Sequence, residues 1–483
     1  MGRRGGNNNW NTAANWVSGT VPVSNPTLTD LVFAGTTRPN TILNISNFNA
    51  RKLTFNTGTD FSISPASNQR LKFGDGGLDN QSPHKQTFNG IVETASGTAT
   101  IPINVAEFGE IVTSTNYSYF YFPDRVLEKT GKGTFTLSNG GFGGKVINTE
   151  GTTNLYGSGD LLTSVEVNGG QVNVSPTLAI GKLGATGTTT QTAGVFSMLG
   201  QFKNDYFVME GGEMTMAGTT LSQKGATFIS GTVNYTGPLG YAHFYGATGP
   251  AAVIQGGSQD FGTAHFESDL GVPSVLVTGG TSTGINNTKG VTNDGGTITF
   301  TTDEFDLTYN GTNDLIFTSG TVSINAFGGG AIGTLVNSVN TTLGSGNTLN
   351  LDFNEDLSRD LLITSGTLNW GGNVALNLTN VGEMPNGSSW NFFNDGVLGN
   401  TGAFAGTLDG ISLAATDTYN GLSFTRSGSL WTSTATVGGQ QFTFEETTGV
   451  LAVVPEPSSI AVVGMGLAML GWRRLALRRR AAA

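Results

Sequence analysis

One short pattern constrains this chain more than any other, a glycine followed by four residues of which the second and fourth are apolar. It reads Gly170-Gln171-Val172-Asn173-Val174, Gly194-Val195-Phe196-Ser197-Met198 and Gly212-Glu213-Met214-Thr215-Met216. It returns at Gly231-Thr232-Val233-Asn234-Tyr235, Gly296-Thr297-Ile298-Thr299-Phe300, Gly320-Thr321-Val322-Ser323-Ile324 and Gly366-Thr367-Leu368-Asn369-Trp370. Counted from Gly151, the steps to positions 170, 194, 212 and 231 are 19, 24, 18 and 19 residues. Alternation of this kind is the period of a strand, and glycine supplies the bend before it. A strand so short cannot bury its apolar face alone. Copies must stack, each covering the next and pairing its backbone rung to rung, as in solenoids. The pattern therefore predicts an all-β parallel solenoid with the Thr, Ser and Asn partner positions outside. A meandering β-sandwich is the competing architecture, but it calls for paired hairpins with Asn-Gly turns, and a single strand type dominates here.

Composition agrees with many brief strands. The 483 residues include 73 glycines, about twice the usual share, and only 12% are charged, about half the usual share. Proline numbers only 14 while apolar residues recur throughout, which separates the chain from disordered sequences. Short alternating runs at Thr41 to Ile45, Lys52 to Asn56 and Phe61 to Ser64 each suit one strand. With no cysteine, neither a disulfide nor a thiolate site is possible, so ladder and core alone must hold the fold.

The stretch from Val126 to Gly159 reads VLEKTGKGTFTLSNGGFGGKVINTEGTTNLYGSG. Leu127, Lys129, Gly131, Gly133, Phe135 and Leu137, followed by Gly144, Ile147, Gly151 and Leu155, resemble the autotransporter-associated β-strand repeat. Phe135 stands where that repeat has Leu, and Phe142 near its usual Tyr. The resemblance implies one coil of a right-handed parallel β-helix. Trp10 to Gly35, with its Trp-Asn, Asn-Trp, Gly-x-x-Pro and Asp-x-x-Phe pattern, is similar to the opening of large surface proteins carrying such repeats. Trp10 and Trp16 are expected to cover the end of the solenoid, where an exposed rung needs protection; a carbohydrate-stacking platform is the other reading. From Asn386 aromatics become denser, at Trp390, Phe392, Phe393, Phe404, Trp431, Phe442 and Phe444.

The last thirty residues have a different character. Pro455-Glu456-Pro457 precedes an uncharged apolar run, which is closed by Arg473, Arg474, Arg478, Arg479 and Arg480. Apolar residues leave water readily, whereas an arginine near the bilayer centre costs about 3 kcal/mol, so insertion should stop at the arginines. Cytoplasmic arginines place the rest of the chain outside the cytoplasm. Ser458 to Trp472 would span about 22 Å as a helix, short of roughly 30 Å of hydrocarbon. Triplet, apolar run and arginines together closely resemble the PEP-CTERM sorting signal of Gram-negative bacteria that make exopolysaccharide. That resemblance implies an exosortase as partner, with processing near Pro455-Glu456-Pro457. A plain tail anchor is the alternative. The N-terminus, MGRRGGNNNW, has no apolar core behind Arg3 and Arg4, and the expectation is that a signal peptide lies upstream.

These readings divide the chain into an N-terminal cap with the first strands (1–125), solenoid repeats (126–385, the family-like repeat at 126–159), a C-terminal β cap and linker (386–453) and the sorting signal (454–480, membrane segment 458–472). The net charge of −11 includes seven arginines at the two ends; without them 16 basic residues face 34 acidic ones. Such a surface disfavours nucleic acid. Catalysis needs converging carboxylates and a cation. Asp303, Glu304 and Asp306 form one acidic group and Asp352, Glu355 and Asp356 another, neither with calcium-loop spacing, and both read as solvated turns. His84, His243 and His265 are isolated, and the glycine pairs Gly211-Gly212 and Gly279-Gly280 lack a phosphate-loop context. No catalytic residue, cofactor or metal is assigned. The expected function is an exported surface or matrix protein, structural and adhesive, that meets exopolysaccharide or cell-surface glycans and passes through the inner membrane. A polysaccharide lyase or hydrolase on the same scaffold is the alternative.

Overall fold

The computed structural model describes residues 6–455 apart from short internal stretches, the longest being 181–187. The protein is all-β, dominated by a large parallel sheet whose pairing is consistent with a β-solenoid. Among the described residues the one helical element is a 3-10 turn, Ala13–Asn15, and no helix is long and apolar enough to cross a membrane. The chain divides into two compact units, Met1–Val275 with Gly280–Gly284, and Leu276–Gly279 with Ile285–Ala483.

In the first unit each strand pairs in parallel with the strand one coil later, and alternate residues stack into columns. Leu31 registers on Leu53, Leu53 on Leu78, Leu78 on Ile103, and that column continues through Lys129, Asn148, Val167 and Gln191. A second ladder stacks Ile111, Phe135, Thr153, Val172, Phe196, Met214 and Val233. The apolar members of both columns are essentially inaccessible, so every rung covers its neighbours' apolar face. Over Thr134-Phe135-Thr136-Leu137 the apolar Phe135 and Leu137 lie inside as expected, but Thr136, expected outside, is buried as well. Two further details differ from expectation. Thr153 points inward, where its hydroxyl donates to Asn148 Oδ1 at 2.7 Å, and Ile147 faces outward while Val146 takes the core position.

The strands expected near positions 41, 52 and 61 form as Asn40–Leu43, Phe48–Phe55 and Phe61–Pro65. Trp10 and Trp16 are buried over the first rung. Trp10 packs on Phe33 and Phe48 at 5.6 and 5.4 Å, and its indole N–H donates to Thr41 Oγ1 at 3.1 Å. Trp16 meets Trp10 edge-on and donates to its carbonyl at 2.7 Å. Trp10 is fully buried and Trp16 only 9% exposed, so neither ring is presented as a stacking platform.

In the second unit Val291–Thr302, Leu315–Ala326 and Thr341–Phe353 continue the same logic, with Ile298, Val322, Leu349, Val374 and Ile411 in one column. A small parallel sheet joins Thr308–Tyr309, Thr334–Asn337 and Leu361–Thr364. After Gly410–Ala415 the pairing turns antiparallel through Leu422–Ser427, Leu430–Ser433, Gln440–Glu445 and Val450–Pro455. Tryptophans fasten this module to the parallel strands: Trp370 donates to the Glu446 carbonyl at 3.2 Å and Trp390 to Asn354 at 2.9 Å. The Glu446 carboxylate is buried but satisfied, accepting from Trp431 Nε1, Leu408 N and Arg426 at 2.7 to 3.0 Å.

Candidate functional site: a stacked polar face over glycine corners

The recurring glycine is a corner. Gly131, Gly151, Gly170, Gly194, Gly212, Gly231 and Gly257 all have φ between 63° and 95°, a conformation costly for any residue with a Cβ. They stack coil on coil. A Cβ at Gly170 would stand 2.1 Å from the carbonyl oxygen of Gly151, and one at Gly194 2.4 Å from that of Gly170. The close approach lets each glycine carbonyl accept the first strand N–H of the next coil, Gln171 on Gly151 at 2.7 Å and Val195 on Gly170 at 2.7 Å. Gly320 shares the positive φ, at 92°, whereas Gly296 and Gly366 lie outside that region.

Beneath these corners buried polar side chains tie consecutive coils together. Lys129 Nζ donates to Gly131 O at 2.5 Å and, one coil on, to Glu150 O at 2.9 Å. Asn148 Nδ2 reaches Gly169 O at 2.6 Å, and Gln191 Nε2 bridges Gly194 O at 3.1 Å and Glu213 O at 2.8 Å. Asn293 repeats the arrangement in the second unit, donating to Gly296 O at 3.0 Å. Burial lowers the Lys129 ammonium to about 8, against only a partial pull upward from Glu150. Fully buried and donating to two carbonyls of successive coils, the motif lysine serves as a clamp. The signal for this class was present in the sequence: a Lys, Asn or Gln two or three residues before a corner glycine, as in Lys129-x-Gly131, Asn148-x-x-Gly151 and Gln191-x-x-Gly194.

With corners and clamps in place, the outward positions become a regular surface. Thr136, Asn154, Asn173, Ser197, Thr215 and Asn234 stack in register, one per coil, at about 4.8 Å spacing. The amides are oriented along the stack: Asn173 Nδ2 donates to Asn154 Oδ1 at 2.8 Å, and Asn154 Nδ2 to Thr136 Oγ1 at 3.2 Å. Gln171 braces the row by donating to Asn173 Oδ1 at 2.9 Å. The neighbouring ladder is unlike it. Its outward column runs Glu128, Ile147, Glu166, Thr190, Val208, Thr227, mixing charge and apolar surface. There burial raises the Glu166 carboxyl, but hydrogen bonds from Lys145 and Asn168 outweigh it and hold the group below its ordinary value.

The remaining candidates fall apart spatially or lie elsewhere. Among the described residues no group of three or more His, Asp or Glu is placed to hold a metal. Asp352 is not a turn residue. It closes the strand Thr341–Phe353, accepts from Asn377 at 2.9 Å, and is raised by burial more than that bond lowers it. Glu355 and Asp356 sit in the following turn, where Asp356 accepts from Ser358. Sequence reading missed Asp360, a buried carboxyl that accepts from the backbone of Gly333 and Asp352, both at 2.7 Å. Burial, aided by the Asp352 charge, pushes it up to about 8 against those two bonds. His84 meets Asp60 at the surface at 3.2 Å. His243 and His265 register on each other through the backbone. Asp303, Glu304 and Asp306 lie outside the described residues, as do Glu456, Pro457 and the five arginines Arg473, Arg474, Arg478, Arg479 and Arg480; Pro455 ends the last strand, opposite Gln440. Comparison with known protein families, with characterised proteins and with solved structures finds nothing that matches this chain.

Proposed function

We propose that the protein is an exported structural and adhesive component of the cell surface or extracellular matrix, sorted by an exosortase through its C-terminal tail. On this reading the parallel ladders of each unit are a right-handed β-helix, with Trp10 and Trp16 covering the first rung of the first unit and the antiparallel module closing the second, and residues 458–472 anchor the chain before processing. The observation that carries the adhesive role is the row Asn154, Asn173, Ser197, Thr215 and Asn234, each part-exposed, with the buried Thr136 at its head. Hydroxyls and amides repeated at one spacing offer many weak hydrogen bonds to the hydroxyls of a glycan, and multiplicity makes such contacts add. The route is carried by the tail, since Pro455 leaves the folded module where Glu456 and Pro457 follow in chain order.

Two measurements test the proposal. Intact mass and C-terminal sequencing of the mature protein, from cells with and without a functional exosortase, should show loss of the segment beyond Pro455–Pro457 only when that enzyme is active. A tail retained in both strains reduces it to an anchor. Binding to the cells' own exopolysaccharide should weaken when Asn154 and Asn173 are both replaced by Ala, and unchanged binding removes the polar row from the adhesive role.

A further inference from the structure

Large apolar side chains are exposed singly over most of the described surface, with one exception. Val17, Val21, Val23, Leu28 and Val32 fall within sixteen residues and are 88, 37, 74, 78 and 47% exposed. Val17, Leu28 and Val32 line a groove of about 500 Å³ between residues 16–22 and the strand Asn25–Phe33, with Trp16 and Leu31 also in its lining. Single exposed apolar residues need no explanation, but a contiguous patch of this kind marks an interaction site.

From these features we infer that this end of the first unit is the docking surface for a second copy of the same chain. Three observations choose the occupant. Residues 13–34 contain one charged side chain, Asp30, and that is already paired with Arg51. In a chain of net charge −11 most chance self-contacts set like charges together, and this patch can face its own image without that penalty. The surface also carries both partners of an isologous contact, the projecting Val17 and Leu28 and the groove between them, so a two-fold axis lets each copy fill the other. Finally, the backbone does not invite an added strand. The strand Asn25–Phe33 pairs with Phe48–Phe55 through Asn25 and Asp30 to Phe33, with an irregularity between, and there Asn25 Oδ1 already accepts the N–H groups of Thr27 and Leu28 at 2.9 and 3.1 Å. The surface therefore offers apolar packing rather than hydrogen bonds to an extended peptide.

Because the chain has no cysteine, the contact can be read directly. The full chain in detergent should sediment as a dimer, and Leu28→Cys should form a disulfide-linked dimer under mild oxidation. Phe108→Cys, an equally exposed position in a later coil, should cross-link much more slowly. Leu28→Glu should weaken dimerisation at least about tenfold, since one apolar side chain is lost from each copy, while the melting temperature stays unchanged. Val23→Glu gives the same reading should Leu28→Glu fail to fold. A chain monomeric at all concentrations assigns the patch to another partner and overturns the inference. So does a Leu28→Glu or Val23→Glu variant that dimerises as tightly as the parent, or equal cross-linking at positions 28 and 108.

Discussion

The coils before Thr113 and those after Val126 solve the same stacking problem with different chemistry. In the early coils the interior is aromatic. Phe33 stacks on Phe55 at 5.2 Å, and Phe55 and Phe73 each meet Phe88 at about 6 Å. Their outer positions carry ion pairs from coil to coil, Arg51 to Asp30, Lys52 to Asp79, Arg70 and Lys72 to Glu93, and Lys85 to Glu110. In the later coils rings still pack inside, Phe228 on Phe261 at 5.3 Å and Phe244 on Phe266 at 5.1 Å, but the corners close on successive left-handed glycines with Lys129, Asn148 and Gln191 as clamps, and one outer face is a row of neutral amides and hydroxyls. The contrast teaches where specificity of register resides. Ion pairs and rings tolerate small slippage, whereas a glycine corner with a buried donor beneath it admits one alignment of two coils. A neutral, evenly spaced face is the consequence.

The contrast can be broken at its strongest point first. Gly170→Val puts a branched side chain at φ +63° and 2.1 Å from the Gly151 carbonyl oxygen, so neighbouring coils must separate. The left-handed conformation alone costs about 1–2 kcal/mol, and with the clash the coils around 151–198 should lose amide-exchange protection altogether. Protection equal to the parent would show that the corners are permissive. Next comes Phe55→Ala in the aromatic region, expected to cost about 3–5 kcal/mol through the cavity it leaves, with lost protection confined to the early coils. Uniform loss across the unit would show that the two regions are not separable.

A pH titration sharpens the comparison. Lys129 is lowered in the folded state from 10.5 to about 8. Between those values the unfolded chain holds the proton and the folded chain does not, so stability should rise with pH across that window. Lys129→Met should flatten the rise without altering the early coils, and a slope that survives the substitution would place its origin elsewhere. The smallest effect belongs to the outer ion pairs. Lys85→Ala removes the partner of Glu110 and should change stability by less than about 1 kcal/mol, with little dependence on salt. A larger or strongly salt-dependent loss would mean that these pairs act as a network.

Much of this was legible beforehand, for physical reasons that also mark the limit. The cue from Gly170 to Gly231 announced both the period and the strand, because alternation and left-handed glycine are local properties. Trp10 and Trp16 were readable as covers, since a terminal rung must hide its apolar face. The inward Thr153 was not, because a threonine in an alternating run states its parity and not the hydroxyl's partner. Asp360 escaped for a similar reason: its two donors, Asp352 across the preceding turn and Gly333 one coil earlier in the chain, are not marked by any local pattern.

The sequence by itself determined that this chain is all-β, built of short repeated strands, poor in charge, free of disulfides and finished by a segment unlike the rest. Each of those follows from composition or from spacing within about thirty residues. Only the tertiary structure decided which columns stack. It set Lys129, Asn148 and Gln191 beneath the corners, gathered Thr136, Asn154, Asn173, Ser197, Thr215 and Asn234 into one row, and left Val17, Val23 and Leu28 together at an end. Those are relations between coils, fixed by the register of backbone hydrogen bonds across some twenty residues of intervening chain, and no local pattern encodes them.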